Sequence, residues 1–329
     1  MIDPADRAAT VSDDRDWRSL VTLRSTTEER NERTLDLDTL EPAALVSAIL
    51  DEDARVASAV QARAAQLGEL AQICVDAIAA GGTVHYVGAG TSGRLGVLDA
   101  VELVPTYSAT PDMVTAHLAG GDTAMMRAVE GAEDDASEGA RVIREECGAR
   151  DVVIGLAASG RTPFVRGALE AARESGLPTA LIAANPHAPL AALADVAVLL
   201  EVGPEVVTGS TRMKAATAQK MALNALSTAV MVRLGKTYSN LMIDVRPTNA
   251  KLVARTVRML VQASGADADR AAAVLEESGR SVRIALIALL ADAPVEAARG
   301  AADAFPPDPR RAGDPAGIRS ALLSLGEGR

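Results

Sequence analysis

The sequence predicts an α/β fold: a five-stranded parallel doubly wound sheet in flavodoxin-like order, flanked by helices, with further helices at both ends of the chain. Three observations predict it. Five short apolar runs between residues 84 and 200 are each followed by Gly, Ser, Asn or Pro and alternate with stretches of helical spacing, the pattern of a parallel sheet covered on both faces. The first run opens into a glycine loop and a helix, VHYVGAGTSGRLGVLDAVE at 84–102. The third opens into a second glycine-and-hydroxyl loop, AASGRTP at 157–163. In the strand order 2-1-3-4-5 the strands that carry these loops are neighbours, and ligands bind at their carboxyl ends.

The elements follow in order. Residues 1–20 carry many Asp and Arg and few apolar anchors and read as disordered. Residues 21–60 read as an N-terminal helical segment, in which Leu35, Leu37 and Leu40 are spaced regularly enough to pack on something. Helical periodicity from 42 to 80 breaks near Asp51 and Asp53, and Gly81-Gly82 ends it. The sheet domain is taken as 61–240, with strands at 84–87, 113–118, 152–156, 179–183 and 196–200 and helices at 94–103, 136–146, 163–175 and 189–194. Thr208-Gly209-Ser210-Thr211 then leads into a long helix to about residue 234, apolar nearly all round at 222–232, which places it centrally or at a subunit interface. Arg212 and Lys214 oppose the dipole at its start, so they need an anionic ligand or a carboxylate partner. An irregular connector at 238–249 precedes helices at 251–263, 267–277, 281–290 and 294–304; the C-terminal helical region is taken as 241–304. Residues 305–329, rich in Pro and Gly, read as a mobile tail with at most a helical turn at 318–325.

Composition excludes several function classes. The 329 residues are 48% hydrophobic but only 2% aromatic, so the core must be built from Ala, Val and Leu. A net charge of −11 argues against nucleic-acid binding and membrane-surface attachment through a basic face. The first residues lack a signal-peptide core, and no apolar run is long enough to span a bilayer, so a cytoplasmic protein is expected. Cys74 and Cys147 have no metal or redox spacing, and His85, His117 and His187 are scattered. No metal and no cofactor are expected.

The two loops carry the chemistry. Glycines let backbone approach a ligand, and N–H groups at a helix start lack intrahelical partners. Thr91, Ser92, Ser159 and Thr162 add hydroxyls, although each loop alone could be a tight turn with a helix cap. Together they point to a phosphorylated small molecule. Gly88, Gly90 and Gly93 also spell the dinucleotide fingerprint. That reading wants an acid closing the second strand, whereas Asp112 opens it, and it wants an apolar loop rather than Thr-Ser. Glu102 stands two turns into the helix after the first loop; in the acidic run between the second and third strands Asp134, Asp135 and Glu138 serve as caps and solvated face, while Glu130 and Glu133 are left over and spacing alone assigns neither a role.

The stretches TEERN (27–31), LDLDTL (35–40), YVGAGTSGRLGVLDA (86–100), AVEGAEDD (128–135), GLAASGRTPFV (155–165), GPEVVTGSTRMKAATAQK (203–220) and NLMIDV with the Thr-Asn ending at Asn249 stand in one order over about 220 residues. In this the chain resembles the N-acetylmuramic acid 6-phosphate etherases of the sugar isomerase (SIS) domain superfamily. It departs at Val101-Glu102-Leu103-Val104-Pro105-Thr106, where the family has Ser-Glu-Cys-Pro-Pro-Thr, at Ala216 in place of glycine, and in lacking a Gly-Gly-Phe ending. The resemblance implies cleavage of the lactyl ether of N-acetylmuramic acid 6-phosphate to N-acetylglucosamine 6-phosphate and D-lactate, without metal or redox cofactor. It puts the catalytic acids on Glu102 and Glu133. It puts the phosphate on Ser92, Ser159 and Thr162 with the amides of Gly93 and Gly160, and sugar or lactyl contacts on Thr91, Arg161, Ser210 and Lys214. It also implies a homodimer with sites near the interface and a C-terminal region like a ubiquitin-associated domain. A sugar-phosphate isomerase and a non-catalytic sensor of the glucokinase regulatory protein type are the alternatives; neither needs glutamates in these two contexts.

Overall fold

The computed structural model describes residues 25–245 and 250–326. The disorder expected at 1–20 and the Thr248-Asn249 end of the last matching stretch lie outside them.

The chain enters through three short 3-10 turns, Thr26–Glu28, Glu32–Thr34 and Leu37–Thr39, followed by helices α1 (Pro42–Asp53), α2 (Val56–Gln61) and α3 (Ala64–Ala79). Pro42 at the first turn of α1 has no N–H to waste there. The sheet domain then runs β1 (Val84–Gly88), α4 (Gly90–Tyr107), β2 (Val114–Leu118), the single turn α5 (Thr123–Met126), α6 (Ala136–Glu146), β3 (Val152–Leu156), α7 (Pro163–Glu174), β4 (Thr179–Ala183), β5 (Val196–Leu199) and α8 (Lys214–Arg233). The five strands are parallel and ordered β2-β1-β3-β4-β5, as expected. Gly88 is the register partner of Leu118 on one side and of Leu156 on the other, so the loops after β1 and β3 leave the sheet side by side.

Side chains alternate across the sheet. Tyr86, Ile154, Ile182 and Val198 face α3, α4 and α8, where Leu70, Leu103 and Leu226 complete one core. Val87, Val153 and Leu181 face α6 and α7, where Ile143, Phe164 and Leu169 complete the other. The all-round apolar stretch of α8 is explained by central burial: Ala222, Leu223, Leu226, Val230 and Met231 are each at most 3% exposed.

A two-stranded ribbon, β6 (Thr237–Tyr238) with β7 (Leu241–Met242), leads to α9 (Ala250–Ser264), α10 (Ala268–Glu277), α11 (Val282–Ala291), α12 (Val295–Ala304) and α13 (Ile318–Gly326). These build a separate core around Leu260, Leu275, Leu286 and Ile287. The stretch expected as a mobile tail contributes α13, whose Ile318 and Ala321 are buried in that core. The Pro- and Gly-rich residues before it form turns pinned by Asp314, which accepts from the backbone N–H of Arg319 and Ser320. The loop also reaches the sheet domain, where Arg233 donates to the Pro309 carbonyl at 2.6 Å. Among the described residues no helix is long and apolar enough to cross a membrane.

Candidate active site

The fingerprint glycines have a packing explanation. A Cβ on Gly93 would stand 2.5 Å from the Gly88 carbonyl oxygen, and one on Gly88 would stand 2.8 Å from the Cα of Gly93. The two glycines let the first turn of α4 drop onto the end of β1. Thr91, Ser92 and Gly93 therefore belong to the helix and not to a loop before it. Ser92 is buried and donates to the Oε1 of Gln219 at 2.7 Å, while the Gln219 amide nitrogen donates to the Ile182 carbonyl at 3.1 Å. A carbonyl can only accept, so that second bond fixes which end of the Gln219 amide meets Ser92.

The loop after β3 is held from the other side. Gly160 has φ +67 and a Cβ there would lie 2.2 Å from that of Ala188. Its N–H donates to Ala157, its carbonyl accepts from Leu190, and Asn185 donates to the Ser159 carbonyl. Ser159, Arg161 and Thr162 are half-buried. Thr162 stands at the cap position of α7 without making a side-chain cap bond. Among the described residues the hydroxyls of Ser159 and Thr162 have no protein partner, and the Nε of Arg161 is buried without one.

Glu133 lies in the 3-10 turn Ala132–Asp134 and lines a cavity of about 230 Å³ together with Ala89, Gly90, Arg94 and Glu130. Arg94 donates from Nε to the Ala124 carbonyl at 2.9 Å. The sequence pattern alone gives Arg94 no role, although it ends the GTSGR run. Glu102 does not line that cavity. It is exposed on α4, beside Leu98, Val101 and Val104, which are themselves 48%, 59% and 48% exposed.

Lys214 is the partner-seeking cation at the start of α8, and the structure gives it a carboxylate. Fully buried, it donates from Nζ to Glu52 at 2.7 Å. Glu52 also accepts from Asn31 at 2.9 Å and from the Arg33 guanidinium. Arg33 first, then Lys214 and Asn31, hold the Glu52 carboxyl well below the usual carboxylate range, against the cost of burial. Glu205 caps α8 by accepting from the N–H groups of Lys214 and Ala215, both at 2.9 Å, and burial raises its pKa. The TEERN run is thus a strap on the loop before α8. Gly209 N–H donates to the Thr27 carbonyl, Asn31 donates to the Pro204 carbonyl and Thr34 to the Val206 carbonyl. Ser210 sits half-buried in this strapped loop.

The histidines and cysteines, scattered in sequence, partly converge at the opposite ends of the strands. His85 Nε2 meets Asp151 at 3.0 Å and His85 Nδ1 meets His117 Nε2 at 2.8 Å, with the rings stacked. Asp151 also accepts from the N–H groups of Thr83 and Gly148. Cys147 joins His85 and Asp151 within 4.8 Å, a grouping that spacing could not foretell. Burial, followed by Asp151 and Glu146, pushes the Cys147 thiol up to about 12.

Comparison with known proteins gives concordant results. The model for the glucokinase regulatory protein N-terminal SIS domain matches residues 66–173, and the general SIS domain model matches 129–229. The chain is 51% identical to the N-acetylmuramic acid 6-phosphate etherase of Symbiobacterium thermophilum over 82% of its own length and 89% of that protein's. It is 53% identical to the protein of the same name from Deinococcus radiodurans, over 80% and 87%. For the corresponding Yersinia pestis protein the identity is 48%, over 83% and 92%.

Proposed function

The chain belongs to the N-acetylmuramic acid 6-phosphate etherase family, and from that membership we propose how its residues divide the work. The enzyme cleaves the D-lactyl ether of N-acetylmuramic acid 6-phosphate, giving N-acetylglucosamine 6-phosphate and D-lactate. The observation that carries the assignment is an identity of about one half, sustained over four-fifths of the chain.

In the open-chain sugar the C2 proton is acidic because it lies α to the C1 aldehyde. Glu133 takes that proton, the C3–O bond breaks, and Glu102 protonates the departing lactate oxygen. Glu102, now a carboxylate, draws a proton from water as it adds at C3, and C2 regains a proton from Glu133. Two carboxyl groups suffice, provided they differ in protonation at the start. The phosphate lies on the hydroxyls of Ser159 and Thr162; of the other expected donors, the Gly160 and Gly93 N–H groups are taken by the Ala157 and Ala89 carbonyls and the Ser92 hydroxyl by Gln219, so these shape the pocket instead. The unpartnered hydroxyls of Ser159 and Thr162 support this. Thr91, Arg161 and Ser210 contact the sugar. Lys214 enters this scheme only through Glu52, because its ammonium is buried on that carboxylate.

The working form is a homodimer. A carboxyl that donates a proton near neutral pH needs a desolvated setting, and in the single chain Glu102 is exposed. The apolar face beside it, Leu98, Val101 and Val104, is suited to cover by a second copy. That contact would bury Glu102 and close its site. The place of action is the cytoplasm, where a charged sugar phosphate is retained.

The experiment is D-lactate release from N-acetylmuramic acid 6-phosphate by the wild type and by Glu102→Gln. The variant is expected to bind the substrate and to lose turnover by three orders of magnitude or so, on the order expected for a lost catalytic acid. Turnover retained by the variant removes Glu102 from the mechanism.

A further inference from the structure

The cavity that holds Glu133 contains one cation among its lining residues, Arg94. Its Nε–H is committed to the Ala124 carbonyl, which sets the plane of the guanidinium. Among the described residues its two terminal nitrogens make no hydrogen bond or ion pair, although Glu130 and Glu133 line the same cavity. An arginine oriented by one backbone bond, with the far edge of its fork unused, is prepared for a planar anion from outside.

We propose that Arg94 grips the carboxylate of the D-lactyl group, and so distinguishes the ether substrate from an amino-sugar 6-phosphate that lacks it. This rests on the etherase reading of the site. The substrate carries two anions of different shape. The tetrahedral phosphate suits the separate, unpartnered hydroxyls of Ser159 and Thr162. The lactyl carboxylate is planar and two bonds from the ether oxygen, so it must lie close to wherever the ether is cleaved. Arg94 stands on the first turns of α4, the helix that also carries Glu102, and shares its cavity with Glu133. Bidentate contact there fixes the rotation about the C3–O bond and so aims the leaving oxygen.

The test compares two ligands in the full-length protein. N-acetylmuramic acid 6-phosphate carries the carboxylate and N-acetylglucosamine 6-phosphate does not. Binding is measured by calorimetry in the Glu102→Gln background, with and without Arg94→Gln, so that no turnover is needed. The expected result is roughly 10- to 100-fold weaker binding of the ether substrate, with the product sugar bound within about twofold of the parent. Arg94→Lys should recover part of the loss. Equal weakening of both ligands overturns the proposal, because it puts Arg94 on the phosphate or the fold. Unchanged binding of both overturns it too. Failure of the wild type to release D-lactate would instead refute the etherase reading, and the two-ligand comparison stands apart from that outcome.

Discussion

Lys214 shows what single residues can disclose. Its place at a helix start demands a negative partner, and that much is readable from sequence. The choice between ligand and protein carboxylate is not, because Glu52 lies 162 positions away and no local pattern points to it. Removing one member of this buried pair leaves a charge without its partner, so Lys214→Met should destabilise by about 3–5 kcal/mol, measured as a lowered urea midpoint. The double variant Glu52→Met/Lys214→Met should regain most of that and keep the wild-type KM. The Glu52 contribution is also pH-dependent. Its folded pKa is depressed, so the stability it adds is complete above the ordinary carboxylate range and is lost as the pH falls through the folded value. Ser92 and Gln219 give a similar lesson: the hydroxyl was visible in the motif, while the amide that orients it was not.

Among the elements, the strands were the most legible, each within a residue of its expected bounds, because short apolar runs between turn residues leave few alternatives. The start of α4 was not. Read as loop, Thr91 and Ser92 are helical, since the Gly88–Gly93 contact brings the helix forward to Gly90. The same contact explains why the dinucleotide spacing occurs here. Gly93→Ala forces its methyl against the Gly88 carbonyl and is expected to cost about 2 kcal/mol or more, seen as a lower melting temperature together with weakened sugar-phosphate binding. At Gly90 a Cβ meets nothing, and only the left-handed φ of +53 resists substitution, so Gly90→Ala should cost about 1 kcal/mol. The C-terminal helices were visible as periodicity, yet α13 was hidden by composition: the Pro- and Gly-rich approach to it resembles a tail until Asp314 ties it down.

For the whole molecule, the sheet order and the meeting of the two loops followed from alternation of elements, while the position of Glu102 relative to Glu133 did not. A single chain leaves Glu102 on an open apolar face, and burial periodicity within one helix does not say whether a partner covers it. On the proposed homodimer with Glu102 as the proposed acid, replacing Leu98 and Val101 together by Asp is expected to give a folded monomer with D-lactate release reduced at least about 100-fold, the order expected for a catalytic acid left in solvent. Sedimentation and activity measured on one sample check this, and a monomer with full activity would remove the second copy from the site.

The strap at residues 27–34 has a consequence for how the protein is made. It leaves the ribosome before its partners at Pro204, Val206 and Gly209, which follow about 170 to 180 residues later, a separation of 173 between Asn31 and Pro204. At ordinary synthesis rates that is a wait of roughly 10 to 35 s. During it Glu52 has Arg33, Asn31 and the nearby Arg55 for partners, but not Lys214. Docking of the strap and capture of Lys214 can come only after β5 has emerged, so closure of the chain's beginning onto its middle belongs among the late events of folding.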